Sequence, residues 1–84
     1  IKLPISIKAS NFDNSKIINF EKVLDKTELV YKYTISKFDR DFIYYQIIFN
    51  GAPNTFLKTM AENGLFFNTQ NKTWSLKWKN IIKK

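Results

Sequence analysis

Ile1, Leu3, Ile5 and Ile7 alternate with Lys2, Pro4, Ser6 and Lys8 at the start of the chain. A period of two is that of a strand with one buried face, and it predicts a strand over residues 1–7. Pro4 falls on the polar side and has no N–H to donate, so the strand is expected to lack a ladder partner on one side there. Polar residues from Ala9 to Ser15 follow and offer Ser10, Asp13 and Asn14 as helix caps. Ile17, Phe20, Val23 and Leu24 then recur at helical spacing, which predicts a helix over residues 15–26. From Glu28 to Phe38 the period returns to two. Leu29, Tyr31, Tyr33 and Ile35 are expected on a dry face, with Lys32, Thr34 and Ser36 on a wet one.

Asp39, Arg40 and Asp41 read as a turn. Phe42 to Phe49 is apolar on both faces apart from Gln46, the pattern of a central strand. Asn50 and Gly51 close that strand, Pro53 opens a second helix, and Phe56, Leu57, Met60 and Ala61 form its stripe before Gly64 stops it. Leu65 to Thr69 predicts a short strand and Asn71–Lys72 a turn. In the last strand Trp74, Leu76 and Trp78 alternate with Thr73, Ser75 and Lys77. The order is β-α-β-β-α-β-β. It predicts an α+β ferredoxin-like split βαβ sandwich, an antiparallel sheet with two helices on one face and its first and third strands central. Residues 1–79 make one domain and residues 80–84 a basic tail.

Composition narrows the chemistry. In 84 residues, 44% hydrophobic and 17% aromatic, there is enough apolar side chain for one folded module. With no Cys and no His, thiolate and imidazole metal sites, disulfides and the usual neutral-pH general base are all missing. The two glycines form no phosphate-binding loop. A carboxylate pair such as Asp39 and Asp41 could act on a glycosidic bond, but a turn explains these two better. No enzyme activity, cofactor or metal is expected.

The formal charge is +7, from thirteen Lys and one Arg against seven acids. Lys77, Lys79, Lys83 and Lys84 lie in the last eight residues, so much of the basicity belongs to the tail. No run of eighteen apolar residues predicts a spanning helix. Trp78, Ile81 and Ile82 among these lysines hint at a membrane-surface anchor, but Trp74 to Trp78 fits a strand and the remainder is short for an amphipathic helix. Asn71, Lys72 and Thr73 form a glycosylation triplet that the turn explains better. Beginning at Ile1, the chain reads as a segment of a longer protein.

If Ile43, Tyr45, Ile47 and Phe49 face the helices, Phe42, Tyr44, Gln46 and Ile48 face the other way, beside Lys32 and close to Arg40. These six residues are the candidate binding surface. One reading is an interface with another protein, a neighbouring domain of the same chain or a second copy in a homodimer. Another is that the C-terminal segment around Trp78, Ile81 and Ile82 simply covers the face. A third is single-stranded RNA, because Arg40, Phe42 and Tyr44 resemble the basic and stacking positions of the third-strand motif in RNA recognition motifs. Asp41 and Ile43 depart from the small residues expected in that motif, and the first strand carries no aromatic.

The helix ending in Leu24, the strand around Tyr33 and Ile35, "IIFNG" (47–51), "FLKTMAENGL" (56–65) and "TWSL" (73–76) together resemble the C-terminal module of a family of uncharacterised bacterial envelope proteins. The resemblance implies a periplasmic location and a non-enzymatic role within a larger protein, and carries over no site residues. The expectation is therefore a protein-binding or scaffolding module, with RNA binding, and then a cytoplasmic location, as the alternative.

Overall fold

The computed structural model describes residues 2–11 and 14–78, the side chain of Trp78 excepted. The elements are β1 (Leu3–Ser10), α1 (Asn14–Lys26), β2 (Val30–Phe38), β3 (Phe42–Phe49), α2 (Pro53–Ala61), β4 (Leu65–Asn68) and β5 (Thr73–Trp78). The seven elements come in the predicted order, although β1 is displaced along the chain from the expected residues 1–7. β1 runs on through Ser10 because Ala9, though in a polar stretch, is fully buried and stays in phase with Ile5 and Ile7. Ser10 is therefore a strand residue rather than a cap, and Asp13 lies outside the described residues. α2 starts without a side-chain cap, on Pro53, whose missing N–H costs nothing at that position. Gly64 ends the following turn at φ 81°, a backbone conformation open to glycine.

The chain is α+β, with a five-stranded sheet in the order β2-β3-β1-β5-β4. β1 pairs antiparallel with β3 from Leu3↔Phe49 to Ser10↔Phe42, and β2 lies antiparallel outside β3. The all-antiparallel sheet expected from the pattern is corrected here, because β5 runs parallel to β1, with Ser6↔Thr73, Ile7↔Trp74 and Lys8↔Ser75. The β4–β5 hairpin turns inward so that its second strand lies against β1, and both of its strands reach the core, β5 with Trp74 and Leu76 and β4 with Leu65 and Phe67. Four-residue β4, with Phe66 exposed, is left at the margin. Pairing with β5 begins at Ser6, so Pro4, which pairs only with Ile48, sits where no donor is needed on that side.

Phe20 of α1 meets Tyr45 edge-on at 5.2 Å, and Phe56 of α2 meets Phe49 at 5.1 Å. Tyr45 and Phe49 share one face of β3, so both helices cover that face. Ile5, Ile7, Ala9, Ile43 and Ile47 complete the core beneath them, joined by Leu65 and Leu76. Two tyrosines fasten α1 to the sheet at its rim. Tyr45 donates its hydroxyl to Glu21 at 2.6 Å, and Tyr33 of β2 donates to Asp25 at 3.1 Å.

Candidate functional site

Strand register puts Phe42, Tyr44, Gln46 and Ile48 of β3 on the face away from the helices, level with Ser10, Lys8, Ser6 and Pro4 of β1. Lys32 lies beside Ile48 and Lys37 beside Tyr44 on the same face. Five of the six residues expected at the surface are thus together. Arg40 is not among them, because it is exposed in the turn between β2 and β3. That turn is held by Asp39, whose carboxylate accepts from the Phe42 N–H at 2.9 Å and the Asp41 N–H at 3.0 Å. Those donors, helped by the charges of Lys37 and Lys8, hold the Asp39 carboxyl below the usual range. The group is engaged in turn geometry rather than paired with Asp41 for chemistry.

The aromatic centre of this face is already occupied by its own lysines. Phe42 and Tyr44 pack edge to face at 6.3 Å. The Lys8 ammonium sits 4.6 Å from the Phe42 ring centre and that of Lys37 5.1 Å from the Tyr44 ring centre. Both rings are half-buried, and a nucleobase stacking on either would displace an ammonium from the ring. Gln46 accepts a hydrogen bond from the Ser6 hydroxyl at 2.9 Å, so its amide oxygen is engaged within the sheet. The segment around Ile81 and Ile82, expected as a cover, lies outside the described residues.

The largest apolar exposure is at β2, which the sequence pattern placed in the core. Leu29, Tyr31, Ile35 and Phe38 are 38, 60, 49 and 65% exposed, and among the described residues only Ile18 and Phe66 join them as large exposed apolar side chains. The expected dry face of Leu29, Tyr31, Tyr33 and Ile35 is corrected: a register shift between Val30 and Lys32 takes Tyr31 out of the row, while Tyr33 and Ile35 keep the helix side, and a second shift lies beyond them between Ile35 and Lys37. A bulge adds a residue and moves the residues after it out of phase. Tyr31 is carried to Lys2, whose ammonium stands 3.8 Å from its ring centre. Val30 and Tyr33 are left as the half-buried contacts of β2 with the core. Ile35 and Phe38 still lie on the helix side, level with buried Tyr45 and Ile43, but α1 meets β2 at Tyr33 and leaves Ile35 and Phe38 beyond it exposed. β2 is also an edge: among the described residues no strand pairs along its outer side.

The most sequence-distinctive charge feature is an absence within elements. None of the five strands contains Asp or Glu, while β1, β2 and β5 carry Lys8, Lys32, Lys37 and Lys77. A cleft of about 140 Å³ beside β1 and Trp74 has Lys72 as the one ionisable residue in its lining. Among the described residues no helix is long and apolar enough to cross a membrane. No family model, curated protein or solved structure matches this chain.

Proposed function

We propose that this chain is a non-catalytic protein-interaction module that takes up a strand of another protein, or of a neighbouring domain of the same chain, along the free edge of β2. The observation that carries the reading is β2 itself, a nine-residue edge strand with Tyr31, Ile35 and Phe38 exposed. Unpaired N–H and C=O groups along an edge are a template for another strand, and apolar side chains beside them add the burial that makes pairing worthwhile. Ile35 and Phe38 lie on the same side of this edge, and exposed apolar surface of this kind marks interaction sites in folded proteins. In this reading the sheet is a ferredoxin-like arrangement with β5 inserted between β1 and β4. The envelope-family resemblance extends the proposal to a periplasmic scaffold role.

A second reading, single-stranded RNA on the open face, is favoured by the lysines of a sheet that has no carboxylate in its strands. The ammonium groups already seated over Phe42 and Tyr44 count against base stacking there. Oxidative footprinting separates the readings. We expect Tyr31 and Phe38 to be modified readily in the purified chain and protected in the cells that make it. Equal modification in both, or protection confined to Phe42 and Tyr44, would contradict the docking role.

A further inference from the structure

Resting on the reading that β2 takes up a partner strand, we infer that this partner is an extended segment in which acidic and apolar residues alternate. β2 reads VYKYTISKF, with two cations and no anion. Its register sets Lys32 and Lys37 on the open side of the sheet and Tyr33, Ile35 and Phe38 on the helix side. A strand added alongside continues both faces, because side chains of neighbouring paired residues project to the same side. Its open-side residues therefore come level with Lys32 and Lys37, and its helix-side residues extend the apolar row of Ile35 and Phe38. Opposite charges across a strand pair stabilise it and like charges weaken it.

Nothing in the sheet supplies the missing anion. The strands carry no carboxylate. Glu21 and Asp25 belong to α1 on the other side of the sheet, where they accept from Tyr45 and Tyr33. Asp39 lies just past the end of β2, and its carboxylate is bonded to the turn N–H groups. Lys2 over Tyr31 adds a third cation near the start of the strand.

The same residues select against other occupants. A second copy would bring its own Lys32 and Lys37 and its +7 charge to the same edge. The two bulges and two lysines are devices that keep an edge from pairing indiscriminately. Between the bulges, Lys32–Ile35 keeps regular register with Ile48–Tyr45, and over that stretch charge decides which strand is accepted.

The test is an amide chemical-shift titration of the full chain with blocked eight-residue peptides at low salt. One alternates Glu and Val, one Thr and Val, one Lys and Val, and a mixed-sequence RNA octamer is run beside them. The Glu–Val peptide is expected to shift the amides of residues 30–38, and added salt to weaken it while leaving any Thr–Val binding unchanged. Lys32→Glu with Lys37→Glu should weaken Glu–Val binding about tenfold, as expected for two surface charge pairs, and bring Lys–Val onto the same amides. Lys32→Gln with Lys37→Gln serves if the reversed variant fails to fold, and should abolish the preference. Equal binding of Glu–Val and Thr–Val would overturn the acidic preference and leave strand docking standing. No shift from any peptide, or RNA shifts centred on Phe42 and Tyr44 without peptide shifts, would overturn both.

Discussion

Tyr33 and Tyr45 show how single side chains set the working range of this small fold. Burial, and hydrogen bonding to the Asp25 carboxylate, push the Tyr33 phenol up to about 12. Tyr45 is raised further, first by burial and then by Glu21. An unfolded phenol ionises near pH 10, so both groups contribute stability that is whole below that value and is lost as pH climbs through the raised values. We expect the denaturant midpoint to fall above pH 10, and the Tyr33→Phe/Tyr45→Phe variant to lose less over the same range. A second expectation concerns the two sides of β3. Phe49 is fully buried, and Phe49→Ala should cost about 3–5 kcal/mol in urea unfolding. Phe42→Ala and Tyr44→Ala, at half-buried positions, should each cost no more than about 1.5 kcal/mol. Equal large losses at all three would mean that the open face is covered in solution.

At the scale of elements, the decisive contrast is between β3 and β2. β3 has neighbours on both sides and a helix pair above it, so every apolar residue on its helix side is buried. Ile35 and Phe38 of β2 lie on the same side and remain exposed. The Ile35→Thr/Phe38→Thr variant keeps strand propensity, and we expect it to change unfolding stability by no more than about 1 kcal/mol. A loss of several kcal/mol would show these residues to be core.

This contrast also marks how much was legible in the sequence. β3 and β5 were readable to the residue, because an apolar run closed by Asn50–Gly51 and a Trp–Leu–Trp alternation are local signals. The helices were readable from Ile17, Phe20 and Leu24 and from Pro53 and Phe56. The parallel β1–β5 pair was not, because both hairpin strands send apolar residues to the core, and local alternation carries no signal for which of the two lies against β1. The exposure of β2 was hidden for the same reason. Alternation says which side chains share a face, and it is silent on bulges and on how far a helix reaches. The five clustered face residues were legible as a surface, while the edge beside them was not, although Lys32 and Lys37 on one strand without an acid were its available sign.

Taken whole, the described carboxylates lie on α1 and in the turns while the strands carry lysines only, although α1 also has Lys16, Lys22 and Lys26, so what sets the sheet apart is the lack of acid in its strands rather than a monopoly of the lysines. α1 engages Glu21 and Asp25 internally, in bonds to Tyr45 and Tyr33. The sheet side keeps a positive field toward solvent, which draws anionic partners and sets the orientation in which they arrive. An apolar edge next to that field combines a source of affinity with a source of selection. The most direct measurement places a photo-crosslinking residue at position 35 or 38, and at exposed Lys58 of α2 as a control, in the cells that make the chain. Light-dependent adducts that form from 35 and 38 but not from 58, and that survive nuclease and disappear with protease, are the expected result. Adducts that disappear with nuclease, or an identical pattern from all three positions, would contradict strand docking at β2.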